Sequence, residues 1–134
     1  MAGFNLGAIY LEADDTHRAD LVWQKVAALG DADAMMCVAR LALQRDDRVA
    51  AKKWIEPLLL AQDQPYPITA LGVALRDSGD ESTAVRIFDR AVALGDGYAM
   101  EYAARIHWAH GDIEAATEVR RRAEGATRYG WGRI

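Results

Sequence analysis

Two histidines three residues apart, His107 and His110, with Asp112 just beyond, form the one grouping in this 134-residue chain with the spacing of metal ligands. Imidazoles at that spacing share one face of a helix, as a tetrahedral ion would need. No third strong ligand is fixed beside them, and histidine is favoured at a helix end such as the one before Gly111 on electrostatic grounds. No metal is therefore expected. The only cysteine, Cys37, falls at a core-facing position one residue before Val38 with no basic neighbour in sequence, which predicts a buried, inert thiol. One cysteine also excludes an internal disulfide and a multi-cysteine zinc site. The chain carries no phosphate-cradling glycine loop, no nucleophile elbow and no histidine pair with glutamate at metalloprotease spacing. Its carboxylates at Asp14, Asp15, Asp46 and Asp47 fall in turns, where they cap helices. These residues predict neither a catalytic site nor a cofactor, and the chain is not expected to be an enzyme.

Charge narrows the partners. The chain is acidic overall, with a net charge of −4, yet residues 104–134 carry 6 basic and 4 acidic side chains against 10 and 16 in residues 1–103. The basic end contains Arg120-Arg121-Arg122, but Glu118 and Glu124 flank it, so it reads as a solvated helix face. A nucleic-acid binder would show a basic stripe on a basic domain, and none is present. About half of the residues are apolar and 27% are charged, the balance of a soluble globular protein. The densest apolar patch, residues 55–61, is interrupted by Glu56 and Pro57 and is far short of a membrane span. The start lacks a basic stretch followed by an apolar segment, so a cytoplasmic location is expected by default. At this length one cooperative domain is the default.

The elements that position these residues emerge from an internal repeat. The segment Ala28-Leu29-Gly30-Asp31-Ala32-Asp33-Ala34-Met35 recurs as Ala93-Leu94-Gly95-Asp96-Gly97-Tyr98-Ala99-Met100, shifted by 65 residues. That is twice a period in the low thirties. Intermediate copies follow at Ala19, Ala50, Ala84 and Ala116, the first three with Trp23, Trp54 and Phe88 four residues later. A small residue followed one turn later by a large ring on the same helical face is what close helix packing needs. Upstream of each alanine lies another amphipathic stretch, near residues 6–11, 34–43, 68–75 and 99–108, so each copy is two helices. Turns are marked by Asp14-Asp15, Asp46-Asp47, Ser78-Gly79-Asp80 and Gly111-Asp112. Gly30 and Gly95 end second helices, and Asp31 and Asp96 then start the next ones. Pro57 predicts a bent second helix in copy two. A longer loop is expected over residues 62–67, serving as a hinge or a surface insertion.

These residues resemble tetratricopeptide repeats, and specifically the Sel1-like family. The run Ala19-x3-Trp23-x2-Val26-Ala27-x2-Gly30-x3-Ala34-x3-Val38-x2-Leu41 is similar to the Sel1 pattern, and Ala84-x3-Phe88-x2-Ala91-Val92-x2-Gly95-x3-Ala99-x3-Ala103-x2-Ile106 repeats it in phase. The likeness covers most of residues 4–124. Copy two departs from it at Pro57, and copy four has Arg120 where the aromatic belongs, with Ala115 and Val119 as a competing register. The resemblance implies an all-α, right-handed solenoid of about four antiparallel hairpins, near residues 1–31, 32–64, 65–96 and 97–125, followed by a tail at 126–134. The glycine-rich, aromatic tail is expected to fold back on the last hairpin or to stay disordered.

The resemblance further implies an interaction scaffold whose concave face, lined by first helices, takes another protein or peptide. By register, that face would be carried by Met35, Met36, Thr69, Arg76, Met100, Glu101, His107 and Trp108. The carboxylate clamp of chaperone-tail binders is missing, because the matching positions read Phe4, Ala8, Met36, Tyr66 and Ala70. Paired methionines and a tryptophan instead suit an adaptable apolar contact, such as a partner's amphipathic helix. Two other expectations stand beside this one. A pocket near Tyr66, Arg76 and Trp108 would make the chain a small-molecule or effector sensor, and docking through exposed terminal repeats would make it a homo-oligomeric structural protein. The first repeat begins without a capping residue, which points to an excised domain or to an end that docks onto another chain.

Overall fold

The computed structural model describes residues 2–61 and 65–128. They form nine helical segments in the order α1 (Ala2–Glu12), α2 (Thr16–Ala28), α3 (Ala32–Gln44), α4 (Arg48–Lys52), α5 (Ile55–Ala61), α6 (Pro65–Asp77), α7 (Glu81–Ala93), α8 (Gly97–Ala109) and α9 (Ile113–Arg128). There is no strand among the described residues. The chain divides into two compact units, Met1–Gln62 and Asp63–Ile134.

One turn design joins the helices in both units. The backbone turns left-handed at Asp14, Gly30 and Asp46 in the first unit and at Gly79, Gly95 and Gly111 in the second. The next residue is an aspartate every time, and its N–H reaches back to a carbonyl of the finished helix, as Asp15 does to Tyr10 at 2.8 Å and Asp112 to His107 at 2.9 Å. This six-to-one bond satisfies a carbonyl that the helix end would leave bare. The same aspartate then caps the following helix. Asp15, Asp47, Asp80 and Asp112 each accept a bond from the backbone N–H three residues on, at 3.1 to 3.2 Å. Asp96 caps through the N–H of Tyr98, whereas Asp31 makes no side-chain cap bond.

In the first unit, α1 packs on α2, α2 on α3, and α3 on α4 and α5. Trp23 is buried over Gly7 of α1, where a Cβ would come within 2.2 Å of the indole Nε1. The second helix of copy two is broken rather than bent. Pro57 has no N–H for the Lys53 carbonyl, and its ring would strike that carbonyl in a continuous helix. The helix therefore ends at Lys52 and restarts at Ile55, which leaves Pro57 in the first turn of α5, where a missing N–H costs nothing. The register of this copy also differs from the sequence reading. Ala51 and Ile55 are the buried pair, while Ala50 and Trp54 are only half-buried.

In the second unit, α6 packs on α7, α7 on α8, and α8 on α9. Ala84, Ile87, Phe88 and Ala91 are fully buried, and Phe88 covers Gly72 of α6 as Trp23 covers Gly7. The loop expected over residues 62–67 is shorter, because Pro65 opens α6 and Pro67 lies in its first turn; residues 62–64 fall outside the described residues. Both prolines are compatible with that place, since first-turn N–H groups have no helical partner. In copy four Ala116 and Val119 are buried and Arg120 is exposed. Helix α9 runs to Arg128, three residues into the stretch read as a tail. The rest of that stretch, 129–134, lies outside the described residues.

Candidate interaction face

Helix α8 carries the residues that best meet the description of a binding face. Its solvent side shows Tyr98, Glu101, Arg105 and Trp108, at intervals of three, four and three, which place all four on one stripe. Tyr98 is 59% exposed and Trp108 56%, large for aromatic side chains. Between them Glu101 and Arg105 form an ion pair at 2.6 Å, so the middle of the stripe is charged yet neutral in sum. The guanidinium of Arg120 on α9 stands 5.8 Å from the Trp108 ring centre. A cation at that distance holds an exposed ring by cation–π attraction.

The corresponding stripe on α6 is Tyr66, Thr69, Val73 and Arg76, counted back equally from the capping aspartates Asp80 and Asp112. Tyr66 is exposed, Thr69 is buried, and Val73 and Arg76 are half-buried. Thr69 donates its hydroxyl hydrogen to the carboxylate of Asp96, the cap of α8. Arg76 lies 4.9 Å from the Tyr102 ring centre and pairs with Asp77 at 3.0 Å; Tyr102 in turn stacks on Phe88 with centroids 5.2 Å apart. Arg76 is thus held over the core of this unit. Of the three residues expected near a small-molecule pocket, Tyr66 and Trp108 stand open to solvent and Arg76 is half-buried.

The eight residues expected on the face divide between surface and core. Glu101 and Trp108 lie on the exposed stripe, and Arg76 at its edge. Met35, Met36, Thr69 and Met100 are buried, so none offers its side chain to a partner from the described surface. Met100 and Met35 sit one residue ahead of the face, a turn of about 100° that carries them into the core. His107 is half-buried and points to Asp89 of α7 at 3.5 Å, while His110 points to Glu81 at 3.7 Å. The two imidazoles are drawn to separate carboxylates, and no group of three metal-capable side chains occurs among the described residues. Tyr98 and Arg105 belong to the stripe and were missed. The turn aspartates, which number every helix from a fixed point, were the signal that would have found them.

Cys37 is buried in α3, and burial pushes its thiol up to about 11. It is protonated and unreactive at neutral pH. On α9, a hydrogen bond from Arg121 holds the Glu118 carboxyl below its usual range, and Arg122 adds to the effect. Two of the three consecutive arginines are thereby engaged on their own helix. No helix is long and apolar enough to cross a membrane among the described residues.

No protein-family model matches this sequence, and no curated protein does. Solved structures do match. The crystal structure of MamA superposes with a TM-score of 0.69 at 15% identity, covering 95% of this chain and 77% of that one. A second structure, MamA MSR-1 C2, gives 0.62 at 18% identity over 95% and 76%. Identity this low carries the fold alone. On that basis, this chain has the all-helical, tetratricopeptide-like repeat fold seen in MamA.

Proposed function

We propose that this chain is a non-catalytic interaction module that takes a segment of another protein along the α8 stripe of its second unit. The observation that carries this reading is the stripe itself: Tyr98 and Trp108 exposed at either end of an internally neutralised Glu101–Arg105 pair. Exposed aromatics are costly to leave in water and are enriched at interface anchors. A pair whose charges already cancel demands no strongly charged partner, which favours an apolar or amphipathic segment over nucleic acid. Repeats of this type serve as scaffolds in general, and the fold likeness supports that role in this chain. Met100 and Thr69 contribute from beneath, by fixing the helices that present the face.

Affinity capture from the native cell extract tests the proposal when run in parallel with Tyr98→Ala and Trp108→Ala variants of unchanged helicity. The expected result is a protein retained by the native chain and lost by both variants. Retention by all three would move the interface elsewhere. A response only to small molecules in a thermal-shift screen, with no protein captured, would replace the scaffold by a sensor.

A further inference from the structure

Of the arginines on α8 and α9 up to Arg122, one differs from the rest in its company. Arg105 pairs with Glu101, and Arg121 and Arg122 both reach Glu118 on their own helix. Arg120 has no carboxylate within ion-pair distance among the described residues, and its guanidinium stands 5.8 Å from the Trp108 ring centre instead. Both side chains are exposed. A ring attracts a guanidinium through its face without taking up the N–H donors as a carboxylate does. Arg120 is thus a cation with donors to spare, held beside the largest exposed ring of the α8 stripe.

We infer that the protein segment taken by the α8 stripe, on the reading of that stripe proposed above, carries an acidic side chain next to the apolar residue that covers Trp108, and that Arg120 binds its carboxylate. Guanidinium and carboxylate match through two parallel N–H···O bonds, which are stronger than bonds between neutral groups. An apolar residue laid on Trp108 would keep water from the ion pair beside it, and a drier setting strengthens the attraction. A basic residue in the same place would meet Arg120 with no carboxylate between them, so the stripe also rejects the opposite charge. Nucleic acid fits less well. Its backbone asks for several cations in a row, whereas Arg105, Arg121 and Arg122 are already engaged and Glu101 and Glu118 stand among them. The single cation also gives the partner a direction. Tyr98 and Trp108 lie about 15 Å apart along α8, and Arg120 stands at the Trp108 end alone. The acidic residue therefore fixes which way round the segment lies on the stripe.

Selection from a random-peptide display library on the immobilised full chain tests this, with every variant checked for native helicity. Peptides that bind the native chain but not Trp108→Ala should carry Asp or Glu beside an aliphatic or aromatic residue. One such peptide, synthesised, should lose about tenfold in affinity against Arg120→Gln and keep its affinity against Arg121→Gln, since Arg121 is held by Glu118. Exchanging the peptide's acidic residue for lysine should abolish binding to the native chain and restore it to Arg120→Glu. Trp108-dependent peptides with no acidic preference, or a lysine exchange that Arg120→Glu does not rescue, would overturn the inferred carboxylate and leave the stripe standing as the binding face. A mixed-sequence oligonucleotide retained by the native chain and lost by Arg120→Gln would overturn it in favour of phosphate, and a concentration-dependent mass abolished by Trp108→Ala would put a second copy there instead. Peptides that bind Tyr98→Ala and Trp108→Ala as well as the native chain, or no peptide at all, would overturn the stripe and the carboxylate together.

Discussion

Phe88 occupies the space that a side chain on Gly72 would need: a Cβ there would lie 2.5 Å from the ring's Cε1. Alanine normally stabilises a helix by about 1 kcal/mol over glycine. In Gly72→Ala that gain should be outweighed, because Phe88 is fully buried and stacked on Tyr102, so the ring cannot swing away. Overpacking costs about 1–3 kcal/mol. A net loss of about 1–2 kcal/mol in chemical denaturation is expected, and adding Phe88→Leu should cost less than it does in the native background. A stabilised Gly72→Ala would refute the close packing.

The broken helix of copy two makes its own prediction. Ala51 is fully buried and Ala50 half-buried, so Ala51→Leu should destabilise by about 2 kcal/mol while Ala50→Leu changes stability by less than about 0.5 kcal/mol. Equal effects, or the reverse order, would restore the register in which Ala50 and Trp54 form the pair.

Caps can be compared across the turns. Asp112 accepts the Ala115 N–H at 3.1 Å, whereas Asp31 holds the equivalent place before α3 without a side-chain bond. Asp112→Ala should therefore cost about 1 kcal/mol, and Asp31→Ala only a few tenths, as measured by equilibrium unfolding. A larger loss at Asp31 would contradict the cap geometry.

Cys37 supplies a pH dependence. Its folded-state thiol is raised to about 11 from a starting value of 9.0 by burial. The unfolded chain thus loses this proton before the folded one does, and the folded state is penalised as pH rises. The contribution is complete below about pH 9 and is lost as pH climbs through about 11. Native protein should lose stability over that window relative to Cys37→Ala, whose curve lacks this term. Parallel curves from pH 8 to 11 would show that the thiol is not buried as described.

The fold was legible because two signals recur at one spacing. The Ala-Leu-Gly-Asp run returns intact 65 residues later, and the small-then-aromatic pattern marks Ala19 and Ala84 correctly, since burial at a helix crossing restricts what those positions accept. Copy two misled because Trp54, a ring four residues after an alanine, imitates the pattern while the aliphatic Ile55 does the packing. The capping aspartates resolve this: Asp15, Asp47, Asp80 and Asp112 precede Ala19, Ala51, Ala84 and Ala116 by four residues without exception. Of the residues expected on the face, Glu101 and Trp108 are exposed while Met100, one position before Glu101, is buried, since one position on a helix is a turn of about 100°. Residue type could not show this, as methionine is at home on either side.

Every helix in the first unit leans on its chain neighbours, and α1 leans on α2. A chain with such local contacts has little loop entropy to overcome and should fold within milliseconds, at rates set by hairpin closure. Amide protons of α1, where Leu6 and Ile9 stand exposed, should exchange with solvent well before those of α3, whose side chains are mostly buried, so this unit opens in steps and not all at once.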